Sequence, residues 1–295
     1  MQISFLRPKQ MAMGFVLVAA SFAGAWVSAQ TVQVPQAPAG GLNFSKLPDV
    51  MGINIGMPVQ QAVAVVKSKW PADRVKLFYA KFPNSSEAAW IARVSASRPG
   101  TGLNMGNSVD DITVFFSAPP NPQVVVQISR TSFMIPPTAR GNLVAAFRQK
   151  YGNEMKPLRS FNNMSWEFNE QGQPLPAPGN GTYICTSFNQ PAQATEGNAA
   201  QAAALTLAGP FVPPIDADIP RLVNMCKDAI TITTLVDPNQ DPNQLLSTST
   251  VVIIDHAEDL RDYVATVRYA QNAAAAAAAK QKQQQLKNAP AAPTL

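Results

Sequence analysis

His256 is the single histidine of the 295-residue chain, so any imidazole-based triad or zinc site has to use it. It directly follows Asp255, a candidate N-cap, which places it in a first helical turn where the dipole disfavours a cation. The reading is a neutral surface histidine. Carboxylates in pairs offer another route to acid–base chemistry, and the chain has Asp110 with Asp111 and Asp216 with Asp218. Asp110 and Asp111 open a strand, where adjacent side chains point to opposite faces, and nothing in the sequence brings either pair into a cleft. Asp237, Asn239, Asp241 and Asn243 alternate as in a calcium loop. An EF-hand needs glycine at its sixth position and glutamate at its twelfth, where this chain has Pro242 and Thr248. The tandem Asp-Pro-Asn-Gln reads instead as consecutive turns. No G-x-S-x-G elbow, H-E-x-x-H helix or Walker loop occurs in the sequence. The residues therefore nominate no catalytic, metal or cofactor site.

Cys185 and Cys226 are the two cysteines, and their meaning depends on compartment. Arg7 and Lys9, an apolar stretch over 11–25 and Val27-Ser28-Ala29 have the layout of a cleavable signal peptide over 1–29. The expected cut falls between Ala29 and Gln30. A membrane anchor needs about 18 apolar residues, and Gly14, Ser21 and Gly24 break this run. In an oxidising compartment, periplasmic or extracellular, the two cysteines are expected to pair as a structural disulfide. The closed loop would contribute about 4 kcal/mol. Removing Arg7 and Lys9 lowers the formal net charge from +5 to +3, too small an excess for a nucleic-acid binder.

The elements that would position these residues are legible as periodic runs. A Pro/Gly/Ala-rich leader covers 30–46. Val59, Ala62, Val63 and Val66 recur at helical spacing after Pro58, and Pro71 ends the helix. Strand-like runs follow at 74–80, 89–96, 110–118 and 123–133, the last two joined by a link short enough for a hairpin. A second helix is expected from an N-cap at Thr138 to Tyr151, with a stripe of Leu143, Ala146, Phe147 and Tyr151 and with Gly152 closing it. Further strands are expected at 164–173, 181–189, 229–236 and 247–255. A Gln/Ala/Pro-rich surface insertion covers 191–220. Trp90, Phe115, Phe116 and Trp166 fall inside strands and read as core. Asp255 and Glu258 have capping-box spacing for a last helix with a stripe of Leu260, Val264 and Val267. Seven alanines and a Lys/Gln-rich end make 273–295 a tail. The expected class is α+β: antiparallel sheet with helices packed on one face, as two helix-plus-four-strand units over 47–158 and 159–272. No later segment is apolar enough to span a membrane.

The stretch GINIGMPVQQAV, from Gly52 to Val63, resembles the entry into the first helix of small bacterial envelope domains of the BamE/SmpA kind. Beta-lactamase-inhibitor-like domains are built similarly. The chain lacks the lipid-accepting cysteine of those assembly lipoproteins and is much longer. As a whole it resembles uncharacterised exported proteobacterial proteins with this helix-plus-sheet pattern. The resemblance implies an envelope binding scaffold and brings no active site with it. The functional expectation is an exported, non-enzymatic protein that binds another protein or an envelope component and takes no cofactor. The alternatives are a carboxylate-dependent hydrolase of an envelope polymer and an extracellular adhesion or virulence factor. Lys280, Lys282 and Lys287, with no acid among them, could touch an anionic surface.

Overall fold

The computed structural model describes residues 47–82, 88–99, 108–154, 163–175, 195–201, 203–204 and 230–288. Cys185 and Cys226, the cut at Ala29 and Gln30, Asp216 with Asp218, and the strand expected at 181–189 lie outside them.

The architecture is antiparallel α+β. Strands β3 (Val75–Lys81), β4 (Trp90–Pro99), β5 (Ser108–Phe116) and β6 (Val125–Ala139) form a meander. Strand β11 (Leu245–Asp255) pairs with the free edge of β6, and β10 (Ile230–Thr234) and β7 (Ser165–Phe168) follow outward. Strands from both halves of the sequence thus share one nine-stranded sheet. Two short pieces within the expected insertion, β8 (Thr195–Glu196) and β9 (Ala203–Ala204), hydrogen-bond to β3. A separate two-stranded ribbon joins β1 (Asp49–Val50) to β2 (Ile53–Asn54).

Side-chain alternation explains how the two faces differ. One register row crosses seven strands as Leu77, Val94, Val114, Ile128, Ile253, Ile232 and Trp166. From Val94 onward its members are at most 2% exposed. This face is covered by α1 (Val59–Lys69) and α2 (Arg140–Tyr151). Helix α1 buries Val59, Ala62, Val63 and Val66, the stripe expected from their spacing, and each buried valine contributes ~1.5 kcal/mol or more. Pro58 serves as its N-cap. Gly56, at φ 76°, makes the turn into α1 and donates to the Val125 carbonyl at 2.7 Å. A side chain there would disfavour that φ.

Helix α2 begins later than expected. Strand β6 runs on to Ala139, and the N-cap is Ala139 without a side-chain hydrogen bond, so Thr138 is a strand residue. Register decides this: Thr138 pairs with Leu246 and Ala139 with Leu245. The stripe shifts accordingly. Val144 is buried and Ala146 is exposed, while Leu143, Phe147 and Tyr151 pack on the core edge. Helix α3 (His256–Lys287) starts where β11 ends, with Asp255 accepting from the Glu258 amide at 2.9 Å. Its first residue bonds Thr231, whose neighbours Ile230 and Ile232 point into the core, so α3 meets the sheet through the opposite face.

Candidate functional site

Three places on this frame collect polar or exposed side chains. The first is a half-open cavity of about 330 Å³ bounded by β1, α2, β6 and β11. Leu143, Phe147 and Tyr151 reach it from one side of α2, and Met134 and Val251 from the sheet. Its polar groups come from the strands and from the end of α2. Arg130 donates Nε to Asp110 Oδ1 at 2.8 Å, and Ser132 donates to the same oxygen at 3.4 Å. Lys150 lies 3.3 Å from Asp49. Tyr151 donates to the Asp49 carbonyl at 3.1 Å, and burial raises its phenol well above the usual value.

The second place is the base of α3. His256 is 5% exposed, which corrects the expectation of a surface histidine. Its Nε2 lies 2.9 Å from the Thr231 hydroxyl. Burial lowers the ring to about pH 4, so it is neutral near pH 7 as expected, though for desolvation rather than dipole reasons. A His–hydroxyl contact of this length is the geometry of nucleophile activation. Here a ring of such low basicity is a poor base, and its Nδ1 is buried with no hydrogen-bond partner among the described residues to orient it. Asp255 and Asp262 are fully buried and pushed up by desolvation to about 7 and about 8. Asp262 accepts the Ala118 amide with both oxygens at 2.9 Å and Asn121 at 3.2 Å. Arg261 holds Glu170 at 2.6 Å and Glu258 at 2.8 Å. These bonds fasten α3 to the β5–β6 turn and to the turn after β7, an anchoring role.

The third place is the remainder of the α3-side face. One residue along from the apolar core row runs one rich in hydroxyls, Ser95, Thr113, Ser129, Thr233 and Ser165, interrupted only by Val252 in β11. The next row carries Ser97, Asp111, Thr131 and Thr250, with the Thr131 and Thr250 hydroxyls 3.0 Å apart. This face ends in apolar side chains. Among the described residues five large hydrophobics are exposed, and four of them lie in or next to the neighbouring strands β6, β11 and β10: Phe133 at 39%, Ile135 at 61%, Leu245 at 64% and Leu235 at 67%. Phe133 pairs with Thr248, and Leu235 donates its amide to Thr250. Phe133 and Leu235 are therefore two strands, about 10 Å, apart across the sheet.

The sequence nominees are scattered. Asp110 points to the α2 side and bonds Arg130, whereas Asp111 belongs to the hydroxyl face, so the pair separates as strand geometry requires. The Asp237–Gln244 repeat forms the expected turns: Asp237 caps the Asn239 amide and Asp241 the Asn243 amide, each at 2.9 Å. Among the described residues no group of three or more His, Cys, Asp and Glu is arranged to hold a metal. Lys280, Lys282 and Lys287 lie on the exposed end of α3. Arg130, Lys150 and the four exposed hydrophobics were not singled out by sequence. The apolar residues running straight into Pro136-Pro137 were the available signal, since a proline has no N–H for the ladder and interrupts pairing within a strand. No family model, curated protein or solved structure matches the chain.

Proposed function

We propose that this is an exported, non-enzymatic binding protein of the periplasm or extracellular medium, which docks another protein or an envelope component on its α3-side face. The observation that carries the reading is the grouping of Phe133, Ile135, Leu235 and Leu245 beside rows of serine and threonine. An apolar patch rimmed by polar groups is the form of an interaction surface, whereas chemistry needs convergent polar groups in a cleft. Small hydroxyls accept or donate as the partner demands and lose little side-chain entropy on contact. In the described residues no helix is long and apolar enough to cross a membrane. The test replaces all four hydrophobics by serine and compares what the immobilised mature protein retains from envelope extracts. Wild type should hold a component that the variant releases at unchanged melting temperature. Identical retention by both proteins removes this face from the function.

Export is the second part of the proposal and rests on the signal-like 1–29 segment. Mass analysis of protein from periplasm or medium should give a chain beginning at Gln30, without free thiol at Cys185 or Cys226. Recovery of the Met1 form, or of two titratable thiols, contradicts it. The basic end of α3 adds a weaker contact to an anionic surface, one that fades as salt rises.

A further inference from the structure

The cavity beneath α2 lies on the other side of the sheet from the proposed docking face, and its chemistry is specific. Its volume of about 330 Å³ falls in the range of small-molecule sites. Met134, Leu143, Phe147 and Val251 form an apolar wall. Methionine and a ring edge accommodate chains of variable shape. The polar end is Arg130, with Ser132 and Ser249 beside it.

Arg130 is only half used by the protein. Its Nε is taken by Asp110 at 2.8 Å, and neither terminal amine has a hydrogen-bond partner among the described residues. The side chain is 29% exposed and lines the cavity. A planar fork with two parallel N–H groups fits a carboxylate in bidentate fashion. Charge then chooses among anions. Arg130 is balanced by Asp110, and Lys150 by Asp49, so an entering ligand meets no surplus positive charge. A monoanion leaves one charge to be desolvated and held by the fork, whereas a dianionic phosphate leaves two.

We propose that this cavity binds a medium-chain fatty acid. The carboxylate accepts both terminal N–H groups of Arg130, and the alkyl chain lies along Met134, Leu143, Phe147 and Val251. The site is independent of the docking face, and either can fail without the other.

The experiment titrates the mature protein with decanoate below its aggregation limit, beside 1-decanol and decyl phosphate. Trp166, whose ring centroid is 5.4 Å from that of Tyr151, gives a fluorescence signal next to the cavity. Decanoate should bind saturably, roughly tenfold tighter than decanol and tighter than decyl phosphate. Arg130→Lys keeps a cation against Asp110 but loses the fork, and should remove the preference for decanoate while leaving decanol binding unchanged. Leu143→Glu, at the partly buried edge, should abolish binding of all three. Equal affinity for decanoate and decanol, tighter binding of decyl phosphate, an unaltered Arg130→Lys protein or absence of saturable binding each overturn the proposal. Should Arg130→Lys fail to fold, the comparison of the three ligands on wild type decides alone.

Discussion

Asp262 and His256 show how burial turns ordinary side chains into a pH dependence. The folded chain keeps a proton on Asp262 up to about pH 8 and on Asp255 up to about pH 7, against 3.8 for a free carboxyl. Their contribution is complete below that lower value and disappears as pH rises through 7 and 8. His256 runs the other way: its folded value of about 4 against 6.5 means that its contribution is complete above 6.5 and lost toward 4. The groups oppose each other between 4 and 6.5, and above that only the carboxyls act. Stability should therefore fall from pH 6.5 to 8, by at most about 1.4 kcal/mol per pH unit for each titrating carboxyl. The melting temperature should drop several degrees over that window, and Asp262→Asn should flatten the drop. A curve that rises or stays level across it contradicts the assignment. A second test concerns Arg140, 5% exposed and bonded to the side-chain amides of Gln240, at 2.6 Å, and Gln244. This guanidinium ties the start of α2 to the tandem turns. Arg140→Ala should cost about 1–3 kcal/mol in denaturant unfolding, and an unchanged midpoint would mean that the turns dock without it. Gly141 donates to the Pro242 carbonyl at 2.8 Å, and a Cβ there would lie 3.2 Å from the Pro242 Cβ. Gly141→Ala should therefore lower stability despite its helix propensity.

At the scale of elements, α1 was legible down to its buried residues because its period has no competitor and a proline stands at each end. The start of α2 was misread for a physical reason. Thr138 has the chemistry of a cap, but β11 offers it a ladder partner, and backbone pairing outweighed local capping. Helix α3 was legible in both its parts. Asp255 caps it as the spacing required, and its last buried residue is Val267. From Gln271 onward every described side chain is exposed, about 25 Å of helix up to Lys287 at 1.5 Å per residue. Alanine holds this stretch helical by propensity alone. Truncation after Asn272 should therefore leave the melting temperature within a degree or two while lowering retention on anionic vesicles at low salt. A loss of several degrees would show the end of α3 packed on the body.

Across the whole molecule, the long strands β3 to β6, β10 and β11 were readable one by one, but their order was not, nor were the short β8 and β9 inside the expected insertion. Alternation in 230–236 and 247–255 marks buried strands, yet nothing in those residues says that β11 joins β6 rather than a sheet of its own. That choice is made by the facing side chains: Ile128 and Ile253 are each fully buried against the other. The cavity beneath α2 was illegible for the same reason, since Arg130, Lys150 and Val251 come from three elements brought together only by that pairing. The β6–β11 seam also sets when the protein can fold. Closing a loop from Ile128 to Ile253 costs about 4 kcal/mol of chain entropy before any contact repays it, and such long-range seams slow folding. The meander 75–139 can form early, but its β6 edge stays open until 245–255 is available. Were the chain exported amino terminus first, as proposed, its sheet would be completed only after nearly all of it had passed. A chain ending at residue 244 should show no cooperative thermal transition, and a sharp native-like melt in that fragment would mean that the seam is not what closes the fold.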